Sequence, residues 1–135
     1  MTIARNYEGR GAMTIDITGV ASVAAGGIGA LANPEGVSLL ITKSTFQFIT
    51  PSDGAANLGV GIGATAATKG TDVLDDLDVN GVAAASWYNG HARQNTAKTA
   101  ITAPAVWTPT TYLTFTGSAT TVGLVGRLYL EYIRL

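Results

Sequence analysis

Residues 13–18 read Met-Thr-Ile-Asp-Ile-Thr, and apolar–polar alternation of this kind returns in short runs along the chain, each run broken by Gly, Pro or Asn. A period of two places Met13, Ile15 and Ile17 on one face of a strand, and it does not fit an amphipathic helix of period 3.6. Residues 37–42 and 45–50, joined by Lys43-Ser44, fit one long bent strand or a tight hairpin. Leu58, Val60 and Ile62 alternate with Gly59, Gly61 and Gly63, giving a strand with one apolar face and one bare face open to close packing.

Further runs follow at similar spacing. Residues 82–88 lead into Asn89-Gly90, a pair that tolerates positive φ and closes hairpins, and residues 99–103 end at Pro104. Residues 112–116 and 124–135 give two more strands, the last with Leu124, Leu128, Leu130 and Tyr132 on one face. Residues 20–33 are rich in Ala and Gly and fit an irregular strand pair or a loop crossing. One helical turn is expected, over residues 71–77, capped by Thr71 or Asp72. Eight or so short strands with turns between them predict an all-β fold, an antiparallel β-sandwich and most economically an eight-stranded jelly roll. The domain is placed at residues 13–135, with residues 1–12 as an extended N-terminal arm.

Composition agrees with a sheet-rich chain. Of 135 residues, 17 are Gly, 21 Ala and 19 Thr, while only 13% are charged, too few for long solvated helices. That length supports one domain with a core of its own, and with no cysteine the fold has no disulfides. Eight Lys and Arg, scattered against nine acids, do not make the clustered basic surface that phosphate neutralisation needs, so no nucleic-acid partner is expected. Residues 17–34 and 99–126 lack charge, but their Gly, Thr and Pro content suits turns and strands better than a membrane helix, so no membrane partner is expected either.

Catalytic chemistry is thinly represented. One histidine, His91, sits just past the Asn89-Gly90 turn, where a hairpin residue half in solvent is expected, and without cysteine no Cys-His pair is available. The pattern G-x-G-x-x-A occurs from Gly27, Gly59 and Gly61, two of them overlapping, where composition alone gives about half a match, but the chain lacks the helices a dinucleotide site requires. Asp72, Asp75, Asp76 and Asp78 form the densest cluster of acids. Asp76, Asp78, Asn80 and Gly81 match the first half of a calcium loop, but Trp87 stands where the closing Glu belongs. The segment therefore reads as a solvated acidic loop with no metal and no cofactor. Trp87, Tyr88, Trp107 and Tyr112 fit core or interface packing, with a sugar-stacking platform as the functional alternative.

The C-terminal third carries a resemblance. Residues 112–117, the small-residue turn 118–120, and a closing strand of the form G-x-L-x-x-x-Y-x-x-L at Gly126, Leu128, Tyr132 and Leu135 resemble the last strand pair of viral jelly-roll structural proteins. Residues 58–81, an alternating strand followed by a Thr/Ala/Gly turn and a Leu-Asp-x-Leu-Asp-Val stretch, are similar to small head or decoration proteins of tailed bacteriophages. Together these cover about half the chain. The resemblance implies a non-enzymatic virion protein on the capsid surface, a homotrimer that binds the major capsid protein and cements the shell. Arg5, Tyr7 and Arg10 are the expected docking residues. A coat that packages nucleic acid would carry a basic arm, and residues 1–12 hold only Arg5 and Arg10 against Glu8. The alternatives are a carbohydrate- or receptor-binding module of a tail or spike, using Trp87, Tyr88 or Trp107, and a shell-forming coat protein.

Overall fold

The computed structural model describes residues 9–81, 87–89 and 103–135, with the backbone alone for 87–89. These residues form nine strands: β1 (Arg10–Thr18), β2 (Gly29–Ala32), β3 (Leu39–Thr50), β4 (Asn57–Gly63), β5 (Leu74–Asp78), β6 (Trp87–Asn89), β7 (Ala105–Trp107), β8 (Tyr112–Gly117) and β9 (Val125–Arg134). All pairings are antiparallel. One sheet has the order β1-β9-β3-β6, with β7 also on the β3 edge, and the other has the order β2-β8-β4-β5. First strands therefore meet last strands in a nested series: β1 with β9, β2 with β8, β3 with β6 and β7, β4 with β5.

The two sheets close on one core. Phe46 and Phe48 of β3, Leu128 and Leu130 of β9, Leu58 and Val60 of β4 and Leu113 and Phe115 of β8 are all buried in a single cluster. Phe46 and Phe48 meet edge to face, with ring centroids 4.8 Å apart. The expected face of the last strand is the observed one, since Leu124, Leu128, Leu130 and Tyr132 are buried.

Residues 39–50 form one strand and not a hairpin. A register shift between Ile41 and Lys43 inserts Thr42 as an extra residue, and it moves the inward positions from Leu39 and Ile41 to Ser44, Phe46 and Phe48. Two expectations need correcting. No helix forms over residues 71–77; instead Leu74 and Leu77 lie on β5 opposite Val60 and Leu58, with Asp75 and Asp76 bulged between them. Asp76 takes up the bulge at a φ of 48°, in the left-handed region that Asp tolerates. The extra residue turns a spacing of two into a spacing of three, which imitates a helix. The second correction is at the N-terminal side, where residues 10–12 belong to β1, paired with Ile133, Tyr132 and Glu131, and not to an arm.

The bare face of β4 is covered by the chain itself. A Cβ on Gly61 would collide with the backbone of Gly70 and Thr71, and one on Gly63 would press on Thr68 at 2.9 Å. Asp72 Oδ1 accepts a 2.7 Å hydrogen bond from the Ile62 amide, and Thr114 on the neighbouring strand donates 3.2 Å to the Gly61 carbonyl. Glycine is needed here because backbone packs directly on backbone.

Candidate functional site

A groove of about 470 Å³ lies across β1, β9 and β3. Arg10, Ala12, Thr42, Glu131 and Ile133 line it. Its shape follows from the β3 bulge: Thr42 stands out of register, exposed, and its hydroxyl donates 3.1 Å to the Glu131 carbonyl. Arg10 is exposed on the first residue of β1, opposite Ile133. Lys43 sits directly across from Glu131 in the ladder.

Of the expected docking residues, Arg10 is thus placed on an open groove, while Arg5 and Tyr7 lie outside the described residues. Sequence reasoning missed Thr42, Glu131 and Ile133 because their convergence depends on a bulge that no residue pattern announces.

One end of this sheet is closed by a polar cluster. Glu35, on the turn before β3, accepts 2.7 Å from the Tyr132 hydroxyl and 2.9 and 3.0 Å from Nε and Nη2 of Arg134. The Arg134 guanidinium also lies 5.5 Å from the centre of the Tyr132 ring, and its Nη1 donates 2.9 Å to the Arg10 carbonyl. Hydrogen bonds from Arg134 and then Tyr132 hold the Glu35 carboxyl below its ordinary pKa. Burial, followed by the Glu35 contact, raises that of Tyr132. Across the exposed middle of the sheet, Arg127 Nε is 2.6 Å from Asp16 Oδ1, and Tyr129 donates 3.1 Å to Gln47.

The acidic segment is dispersed over separate tasks. Asp76, expected to face solvent, is buried and sits 3.1 Å from Lys69 Nζ. Asp78 Oδ1 accepts from the amides of Asn80 and Gly81, both at 2.9 Å, and Asn80 Nδ2 donates 2.8 Å to the Ser52 carbonyl. These are turn-forming contacts. Among the described residues no group of three or more His, Cys, Asp and Glu side chains converges on one point.

The aromatic platform is also not assembled by what is described. Trp107 is fully buried, with Nε1 donating 3.1 Å to the Thr111 carbonyl, so its ring has no face for a sugar. The backbone of Trp87 and Tyr88 pairs with Gln47 and Phe46 in β6. His91 and the Asn89-Gly90 turn beyond Asn89 lie outside the described residues, as does most of the strand expected at 99–103. No helix among the described residues is long and apolar enough to cross a membrane. No family model, curated protein or solved structure matches the chain.

Proposed function

We propose that the chain is a non-enzymatic structural protein of a virion, a jelly-roll decoration protein that binds the major capsid protein on the outside of the shell. The observation that carries this is the nested pairing of β1 with β9, β2 with β8, β3 with β6 and β4 with β5. A jelly roll winds an antiparallel ribbon in this way, with β7 as an added piece on the β3 edge. A fold by itself names no function. The functional part is supported by the resemblance of residues 58–81 and 112–135 to phage head proteins, and by the open, mixed-charge groove beside Arg10. Such a groove suits polar docking on a second protein surface.

Density-purified particles from the source that encodes the chain are expected to contain it, and antibody to it should label unbroken shells. A particle fraction free of the protein overturns the proposal. Deletion of residues 1–8 leaves β1 whole and should weaken rebinding to stripped particles, as should Arg10→Ala. Equal rebinding by both variants would remove residues 1–10 from the docking surface.

A further inference from the structure

We infer that two copies of this chain join edge to edge through β1, antiparallel across a two-fold axis at Met13. This goes beyond the virion proposal and does not depend on it, though both draw on Arg10. β1 is the terminal strand of its sheet; no described strand pairs with its outer edge, where the Arg10 carbonyl takes one side-chain hydrogen bond from Arg134 Nη1 and its second lone pair stays open to a strand. The Gly9 carbonyl accepts from the Arg134 amide at 2.6 Å, and the Gly19 amide donates to the Leu124 carbonyl at 2.8 Å. Odd-numbered residues of β1 therefore face β9, and the N–H and C=O groups of Arg10, Ala12, Thr14, Asp16 and Thr18 point to the open edge.

Such an edge is a template for another strand, and natural sheets usually guard one with Pro, charged side chains (Lys above all), bulges or extreme shortness. β1 has nine residues, no Pro, no Lys and no bulge, and its only charges are Arg10 and Asp16, of opposite sign. Beside it an apolar cleft of about 200 Å³, lined in part by Ile15, Ile17, Ile28 and Phe115, leaves surface for a neighbour to cover.

The charges select both the occupant and the register. Arg10 and Asp16 lie on the same exposed face of β1, with opposite signs, symmetric about Met13. With the axis at Met13, Arg10 stands opposite Asp16 of the second copy, and Ala12 opposite its Thr14, each in a hydrogen-bonded pair. Shifting the axis to Thr14 would set Arg10 against Thr18 and Asp16 against Ala12, leaving both charges unmatched. Asp16 keeps its bond to Arg127, yet its side chain remains 73% exposed, so one carboxylate can serve both cations. A strand whose own charge pattern is complementary to itself in the antiparallel sense fits a second copy of this chain.

Sedimentation velocity on the whole chain tests this directly. The expected wild-type mass is about twice 13.8 kDa. Arg10→Asp, a change on an exposed side chain, sets two carboxylates against each other and should shift the population to monomer. Because the chain has no cysteine, Met13→Cys provides a unique thiol at the axis, where a non-hydrogen-bonded pair brings the strands closest. Under mild oxidation Met13→Cys should give a disulfide dimer and Thr14→Cys should not. A wild-type monomer, a trimer, a dimer that survives Arg10→Asp, or preferential cross-linking through Thr14→Cys would each overturn the inference.

Discussion

Tyr132 and Glu35, 97 residues apart in the chain, are joined by a 2.7 Å hydrogen bond at the end of the sandwich where the turn before β3 folds over β9. Gly11 makes room for it, since a Cβ there would run into the Tyr132 ring from the paired strand. Arg134 completes the cluster from the same face of β9. The Glu35 carboxylate thus holds the turn before β3 to β9, and Arg134 extends the cluster to β1 through the Arg10 carbonyl.

The sign of its pH dependence follows from the lowered pKa of Glu35, caused first by the Arg134 hydrogen bond and then by that of Tyr132. A carboxyl that is more acidic in the folded than in the unfolded chain contributes stability above the unfolded value, and loses it as pH falls through the folded one. Glu35→Gln should therefore be less stable than the wild type at neutral pH, and the gap should close in acid. Urea midpoints at the two pH values measure this, and a gap that stays constant would count against the Glu35 cluster.

The glycine face of β4 yields a contrast between positions. Gly61→Ala drives a methyl group into the backbone of Gly70 and Thr71, neither of which is the yielding end of a side chain. The expected loss is about 1–3 kcal/mol or more. Gly29→Ala and Gly54→Ala meet nothing within 4 Å and should stay within about 0.5 kcal/mol of the wild type. Thermal midpoints of the three variants give the comparison; equal losses at all three would mean that the loop does not press on β4.

What was legible in the sequence was whatever depends on local periodicity. The faces of β1, β4 and β9 follow from residues two apart, and the bare glycines announced a close approach before its partner was known. The features that escaped are those in which the count slips by one. Leu74 and Leu77 have helical spacing only because Asp76 bulges, and Glu131 meets Thr42 only because β3 carries an extra residue. Glu35 escaped for a different reason, because nothing local ties a turn residue to a tyrosine near the other end of the chain. Arg10 was picked out by charge alone, and its neighbours on the groove come from β3 and β9.

Ser44 offers a test of how the two sheets are tied together. It sits in the core where Phe or Leu would be expected, and its hydroxyl donates 3.0 Å to the Val73 carbonyl at the start of β5, across the sandwich. Ser44→Ala removes the donor with little change in volume and leaves a buried carbonyl short of a partner, at a cost of about 1–3 kcal/mol. Chemical denaturation of the pair measures it, and an unchanged midpoint would show that this hydrogen bond does not hold the sheets together.

Asp76 separates backbone strain from charge. Its φ of 48° is tolerated by Asp and Asn but costs most other residues about 1–2 kcal/mol. Its ion pair with Lys69, whose side chain is 41% exposed, contributes about 1 kcal/mol or less. Asp76→Asn keeps the conformation and loses the charge, so it should be milder than Asp76→Ala, which loses both. The neighbouring acids are committed to turn contacts, Asp78 to the amides of Asn80 and Gly81, so calcium and chelator should give the same thermal midpoint in the wild type. A calcium-dependent rise that Asp76→Asn abolishes would instead mean that the ion displaces Lys69 and gathers these oxygens around itself.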